Sequence, residues 1–184
     1  MAANLARWQA RLNHEMPLVL MTDDRKADWA GAASRLPRGG LIVVRSRDAR
    51  KRAALAQELH GIAPLLIADD PELAQAIGAA GLHLPEARIR EAMHWRCRHP
   101  DWIITASAHS LRTLMQAREL DAVFLSPVFA TTSHKGVAGL TPARAGFMAQ
   151  HGMVPVYALG GVTPRNAGLL PPAFSGIAAI SALL

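Results

Sequence analysis

At 184 residues, the chain suits one domain with a continuous core, and a composition of 51% apolar, 18% charged and 5% aromatic residues means that core must be built mainly from Ala, Leu, Ile and Val. Its apolar runs fall far short of the roughly 20 residues a membrane-spanning helix needs. Arg7 and Arg11 interrupt the N-terminus before a secretory core forms, and a lone Cys97 excludes an internal disulfide, so a cytoplasmic location is expected. The net charge is +6, yet 17 of the 20 basic residues are arginines, mostly scattered, with one cluster from Arg45 to Arg52. Without interleaved aromatics this pattern argues against nucleic acid, and it fits phosphorylated small molecules, whose oxygens a guanidinium matches in pairs.

In chain order, Leu5, Trp8 and Leu12 share one helical face, which predicts an amphipathic N-terminal helix over residues 1–14. Eight short apolar runs follow, at 18–21, 41–44, 64–67, 81–84, 102–105, 122–125, 154–158 and 175–179. Helical spacing fills the intervals at 26–35, 49–60, 71–79, 88–97, 110–119, 142–151 and 163–169. Runs that are apolar throughout, rather than alternating, predict strands buried on both faces, as in a parallel sheet covered by helices. Eight of them favour an α/β fold closed into a (β/α)8 TIM barrel, expected here as a single domain over 1–184 with the barrel at 17–182. Asp70-Pro71 and Thr163-Pro164 each set a capping side chain before a first-turn proline, and Gly81 reads as the stop of the third helix. Only Ser181-Ala182-Leu183-Leu184 follow the eighth run, so the last helix is expected to be truncated or missing. The apolar surface this leaves on the first and last strands would be covered by the N-terminal helix or by a second copy in a homodimer.

In such a barrel the chemistry belongs at the carboxyl ends of the strands. Polar residues stand at those ends, among them Asp23 and Asp24, Asp69 and Asp70, His83 and Glu86, Ser107 and His109, and Ser126. Gly160-Gly161 follows the seventh run, where unhindered amides and a helix starting near Thr163 would receive an anion, with the amides near Ile180 and Ser181 completing a phosphate cup. The competing reading is an ordinary glycine turn. Arg45 and Arg47 are two apart and project to the same side of an extended chain, either toward one anion or as a solvated rim pair. Thr131-Thr132-Ser133-His134-Lys135-Gly136 reads as a hydroxyl-rich loop able to close over phosphate, or as a mobile surface loop.

Taken in order, several segments resemble the thiamine phosphate synthase and TenI family. They are Leu18 to Asp23, Val43-Val44-Arg45-Ser46-Arg47, Ile67-Ala68-Asp69-Asp70, Gly81-Leu82-His83-Leu84-Pro85-Glu86, Ser107-Ala108-His109-Ser110, Ser126 to Thr131, and Ala158-Leu159-Gly160-Gly161-Val162. The resemblance implies a transferase that joins an aminopyrimidine methyl diphosphate to a thiazole phosphate, releasing diphosphate and forming thiamine phosphate. Because diphosphate leaves first, stabilising it electrostatically matters more than a general base. By resemblance, Arg45 and Arg47 hold diphosphate. Ser107 and the loop of Thr131, Thr132, Ser133, His134 and Lys135 contact substrate phosphates. Gly160 and Gly161 with Ile180 and Ser181 hold the thiazole phosphate, and Asp69 binds magnesium.

The sequence departs from the family pattern at chemically consequential positions. Arg47 stands for a lysine, Ala68 for an asparagine, Arg88 for a second metal-binding aspartate, and His134 for a lysine with Lys135 adjacent. A weakened magnesium site is therefore expected, with Arg88 partly replacing the metal's charge and Asp69 and Glu86 as the remaining ligands. The histidine of the TenI thiazole tautomerases falls at Pro127, which does not support that activity. His109 and His134 are candidate proton carriers, set against the commoner reading of a rim histidine as a bystander. A non-catalytic barrel binding thiazole phosphate or thiamine phosphate is the alternative in another class.

Overall fold

The computed structural model describes residues 18–25, 28–131 and 139–180. The expected helix at 1–14, the loop residues Thr132, Ser133, His134 and Lys135, and the chain from Ser181 onward lie outside the described residues.

Eight parallel strands form one closed barrel in sequential order, β1 (Leu18–Met21), β2 (Leu41–Val44), β3 (Leu65–Ala68), β4 (Gly81–Leu84), β5 (Ile103–Ala108), β6 (Ala122–Leu125), β7 (Val156–Leu159) and β8 (Gly176–Ala179). Closure is made by β1 against β8, with Val19 opposite Ala178 and Leu20 opposite Ala179. Each strand coincides with an apolar run of the sequence to within three residues at either end. Alternation explains why those runs are apolar throughout. Val19, Met21, Leu41, Val43, Leu66, Phe124 and Tyr157 point into the barrel. Their neighbours Leu20, Ile42, Val44, Leu65 and Ile67 point outward against helical Trp29, Ala33, Ala56 and Leu59. A third cluster packs Leu84, Ile104, Val123 and Leu125 under Leu114 and Met148. Both faces of most strands are thus removed from water, with Leu18 and Ile177 on the first and last strands only partly so, and each large buried side chain stabilises the fold by about 1.5–3 kcal/mol.

The helices between strands are α1 (Trp29–Ser34), α2 (Ala49–Leu59), α3 (Pro71–Ala76), α4 (Ala92–Arg98), α5 (Leu111–Gln116) and α6 (Pro142–Gln150). Their starts follow local chemistry. Asp48 accepts from Arg50 and Lys51 amides, Asp70 from Leu73, Ser110 from Thr113 and Thr141 from Arg144. Asp70-Pro71 therefore works as the sequence suggests, with proline in the first turn.

Three local expectations change. The segment expected as a helix from 88 opens as a 3-10 turn over Glu86–Glu91 before α4. The helix expected over 163–169 is a turn ending in a short 3-10 segment, Ala167–Leu169. Asn166 accounts for this, because its side-chain oxygen accepts from the Thr163 amide (2.7 Å) and its nitrogen donates to the Gly161 carbonyl (2.8 Å), while Pro171 blocks extension. Gly81 does not end the third helix. Gly78, at φ 62°, does so, and Gly81 opens β4 so close to β5 that a Cβ there would lie 1.9 Å from the Ile103 carbonyl oxygen. No described helix is long and apolar enough to cross a membrane.

Candidate active site

A cavity of about 540 Å³ opens at the carboxyl ends of the strands, within the size range of small-molecule sites. From β1 and β2 it takes Asp23, Asp24, Arg25, Arg45 and Arg47; from β5 and β6 it takes Ser107, His109, Ser126 and Thr131; from β7 and β8 it takes Leu159, Gly160 and Ile180.

The chain just past β2 is held on both sides. Fully buried Thr22 accepts from the Arg45 amide (2.8 Å) and donates to the Arg45 carbonyl (2.9 Å). Asp24 accepts from the Ser46 hydroxyl (2.5 Å) and the Arg47 amide (3.1 Å), and Arg52 donates to the Ser46 carbonyl (2.8 Å). Those donors, the Ser46 hydroxyl first and then the Arg47 amide, hold the Asp24 carboxyl below its ordinary pKa. The buried Ser46 between them turns both arginine side chains toward solvent and the cavity. Arg25, Arg52, Arg88 and Arg96 are each paired with a carboxylate. Among the described residues Arg45 and Arg47 form no such ion pair, although the Asp24 charge lies near enough to Arg45 to be felt, so two cations not tied to a carboxylate face the cavity.

On the opposite wall, β7 turns at Gly160 and Gly161, with φ of 88° and 66°. A Cβ on Gly161 would meet the Ala130 carbonyl oxygen at 2.4 Å, and one on Gly160 would meet Pro127 at 2.9 Å, so close approach as well as φ demands glycine at both. Among the described residues the two amides make no backbone hydrogen bond. Gly160 and Ile180 line the same cavity, which brings the β7 and β8 ends together as expected for an anion cup. The helix dipole expected behind that cup is absent, because the segment after Thr163 is a turn braced by Asn166.

His109, from the sequence either a proton carrier or a bystander, lies in the cavity wall. Its Nδ1 donates to the Ser126 carbonyl (2.8 Å), and Glu86 fixes the backbone beneath it by accepting from the His109 amide (3.0 Å). Behind Ser107 sits His83, 3% exposed, stacked on Phe124 with ring centroids 5.0 Å apart. Burial, then the charge of Arg45, pushes its pKa down to about 3, so the ring is neutral. The sequence placed His83 among the polar residues at the strand ends, but carried no signal that it sits buried behind Ser107.

Asp69 and Arg88 lie outside the cavity wall. Asp69, at φ 55°, accepts from Arg88. Arg88 also donates through Nε and Nη2 to both oxygens of Glu91, at 2.7 and 2.6 Å. Glu91, then Asp69, raise the Arg88 pKa, while the guanidinium holds Glu91 below its ordinary range. Glu86 is occupied by Thr113 and the His109 amide, away from Asp69. Among the described residues no group of three or more His, Cys, Asp or Glu side chains converges as a metal site. Arg88 occupies Asp69 Oδ1, so a magnesium ion there would compete with the guanidinium, and a single carboxylate beside a cation is a poor fit to the ion implied by the family.

The chain is a closed (β/α)8 barrel whose strand-end cavity, the usual place for a site in such barrels, is lined by arginines including Arg45 and Arg47, hydroxyls and the first glycine of a double-glycine bend. The thiamine monophosphate synthase family matches residues 18–183, and the chain belongs to that family. The chain is similar to a thiamine-phosphate synthase of Azorhizobium caulinodans, 31% identical over 186 residues, covering 92% of this chain and 87% of the relative. It is likewise similar to a putative thiamine-phosphate synthase 2 of Aquifex aeolicus, 30% identical over 163 residues and covering 81% and 87% respectively. Among solved structures, a thiamine phosphate pyrophosphorylase from Pyrococcus furiosus has the same fold, with a TM-score of 0.72 at 23% identity over 93% of this chain and 88% of that one.

Proposed function

We propose that the protein is a transferase that joins an aminopyrimidine methyl diphosphate to a thiazole phosphate, giving thiamine phosphate and diphosphate. Membership of the thiamine monophosphate synthase family supports this reading, and the observation that carries it is the pair Arg45 and Arg47, free of ion pairs among the described residues, in the strand-end cavity. As the carbon–oxygen bond to diphosphate breaks, negative charge grows on the leaving oxygens. Two arginines whose backbone is fixed by Thr22 and Asp24 bring their guanidiniums to that charge. Ser107 and Thr131 line the cavity between the arginines and the glycine bend, where they add hydroxyl donors to the phosphates. Gly160 with Ile180 holds the second substrate's phosphate, which places the two anionic ends at opposite walls and the reacting atoms between them. Thr132, Ser133, His134, Lys135 and Ser181 keep the phosphate-contacting roles that the resemblance implies.

The metal belongs to the same proposal. In this family magnesium would supply charge to the leaving diphosphate. The commitment of Asp69 to Arg88 supports weak magnesium affinity, so no step is assigned to the ion. Cytoplasmic residence, supported by the single cysteine, and pairing of two copies complete the reading, and are tested by fractionation and sedimentation.

Incubating the purified chain with both substrates, with and without magnesium, tests the function. Thiamine phosphate and diphosphate in equal amounts are the expected products. Calorimetric binding of either substrate without turnover would replace the transferase by a binding barrel.

A further inference from the structure

The barrel interior contains a polar chain that the phosphate contacts alone do not explain. His83 on β4 is bonded through Nδ1 to Thr105 (2.9 Å) and through Nε2 to Ser107 (3.0 Å). Thr105 and Ser107 are two apart on β5, hence on one side of the strand, and His83 is the direct partner of Thr105 across the sheet. Thr105 is 1% exposed, and His83 is the only hydrogen-bond partner of its hydroxyl among the described residues. Ser107 lines the cavity.

These facts select a tautomer. The ring is neutral, so one nitrogen carries a hydrogen and the other accepts. If Nδ1 carried it, the Thr105 hydroxyl hydrogen would be buried with no acceptor, and buried donors are almost always paired. Thr105 therefore donates to Nδ1, Nε2 carries the hydrogen, and Nε2 donates to the Ser107 oxygen. With that lone pair occupied from behind, the Ser107 hydrogen points into the cavity. The opposite tautomer would draw the Ser107 hydrogen inward and present only lone pairs to an anion, which repels it.

We propose that His83 is a positioning residue, whose Nε2–H fixes Ser107 as a hydrogen-bond donor to a phosphate oxygen in the cavity. This rests on the reading of the cavity as a phosphate site, and two measurements separate the ideas. In 15N-labelled protein at neutral pH, His83 is expected as the Nε2–H tautomer, with Nδ1 the unprotonated nitrogen. Finding Nδ1 protonated overturns the proposal whatever the cavity binds.

Calorimetry with inorganic diphosphate, without metal, then compares the wild type with His83→Asn, Ser107→Ala and the double variant. Asn keeps an acceptor for Thr105 but cannot reach Ser107. His83→Asn is expected to weaken diphosphate binding about tenfold, as loss of one hydrogen bond to a charged group does. In the Ser107→Ala background it is expected to change nothing further. Equal losses in both backgrounds would mean that His83 acts through the fold and not through Ser107. His83→Gln, whose amide nitrogen reaches toward Ser107, is expected to recover most of the affinity, and failure to recover any counts against the proposal. A wild-type chain that does not bind diphosphate removes the phosphate reading instead, and the nitrogen spectrum still decides the tautomer. Should His83→Asn not fold, that spectrum and the Gln variant carry the test.

Discussion

Arg45 and Arg47 differ from the other arginines near the site in what surrounds them. Arg25, Arg52 and Arg88 spend their charge on neighbouring carboxylates, whereas these two are anchored through backbone and keep their guanidiniums for the cavity. Arg45→Ala is expected to lower kcat/KM for thiamine phosphate formation at least ~100-fold, the usual loss on removing one preorganised donor to a developing anion. Steady-state kinetics of the folded variant checks it, and an unchanged rate would end the diphosphate role. Arg88→Asp removes the cation that occupies Asp69 and is expected to raise the magnesium dependence of the rate; a flat magnesium titration would show that Arg88 does not control the metal. His83 also ties stability to pH. Its folded pKa of about 3 lies below the unfolded 6.5, so the unfolded chain takes the proton first. The fold is indifferent to this group above about pH 6.5. Below that it loses up to about 1.4 kcal/mol per pH unit toward pH 3. Asp24, whose pKa is lowered by Ser46 and Arg47, also favours the fold at higher pH. Urea unfolding of the wild type and of His83→Asn between pH 4.5 and 7 isolates the histidine, and the variant is expected to show the shallower slope.

The turn after β7 shows how an element can be misread from its residues. Thr163-Pro164 has the form of a helix start, and a helix there would have aimed its dipole at the glycines. Pro171-Pro172 stops the segment, and Asn166 offers its backbone a competing set of bonds. The proposed anion cup therefore relies on backbone amides shaped by two left-handed glycines. Gly161→Ala places a methyl 2.4 Å from the Ala130 carbonyl in a backbone conformation that disfavours alanine. It is expected to weaken thiazole phosphate binding at least ~10-fold, from a cost of about 1–3 kcal/mol in strain and displacement, measured by calorimetry. Normal affinity would mean that the bend holds no ligand. The reverse error occurred at β4, where Gly81 reads as a helix stop. It is glycine because β5 leaves no room for a side chain, and sequence offers no means of seeing a neighbour 22 residues away.

At the scale of the whole molecule, the barrel is closed by register and clamped at its lower rim. Asp121, 1% exposed at its side chain, accepts from the Ile104 amide (2.7 Å) and from Arg96 (2.5 Å), and Arg96 also donates to the Trp102 carbonyl (2.6 Å). This ties α4 to the starts of β5 and β6, far from the cavity. Asp121→Ala is expected to cost about 3–5 kcal/mol by stranding the Arg96 charge and a buried amide, while kcat/KM per folded molecule stays near wild type. Denaturant unfolding and active-site titration distinguish that outcome from a catalytic role. The eight strands, the barrel they form, and the gathering of Arg45, Arg47, Ser107 and Gly160 at one end were legible in the sequence alone. Apolar runs of strand length record burial on both faces, and chain order in such a barrel leaves one position for each strand end. Tertiary structure alone decided the fate of Asp69, the recruitment of His109 and the orientation of Ser107 through His83. Each depends on which side chain a polar group meets across the barrel, and such meetings are set by three-dimensional packing between residues that are distant in the chain.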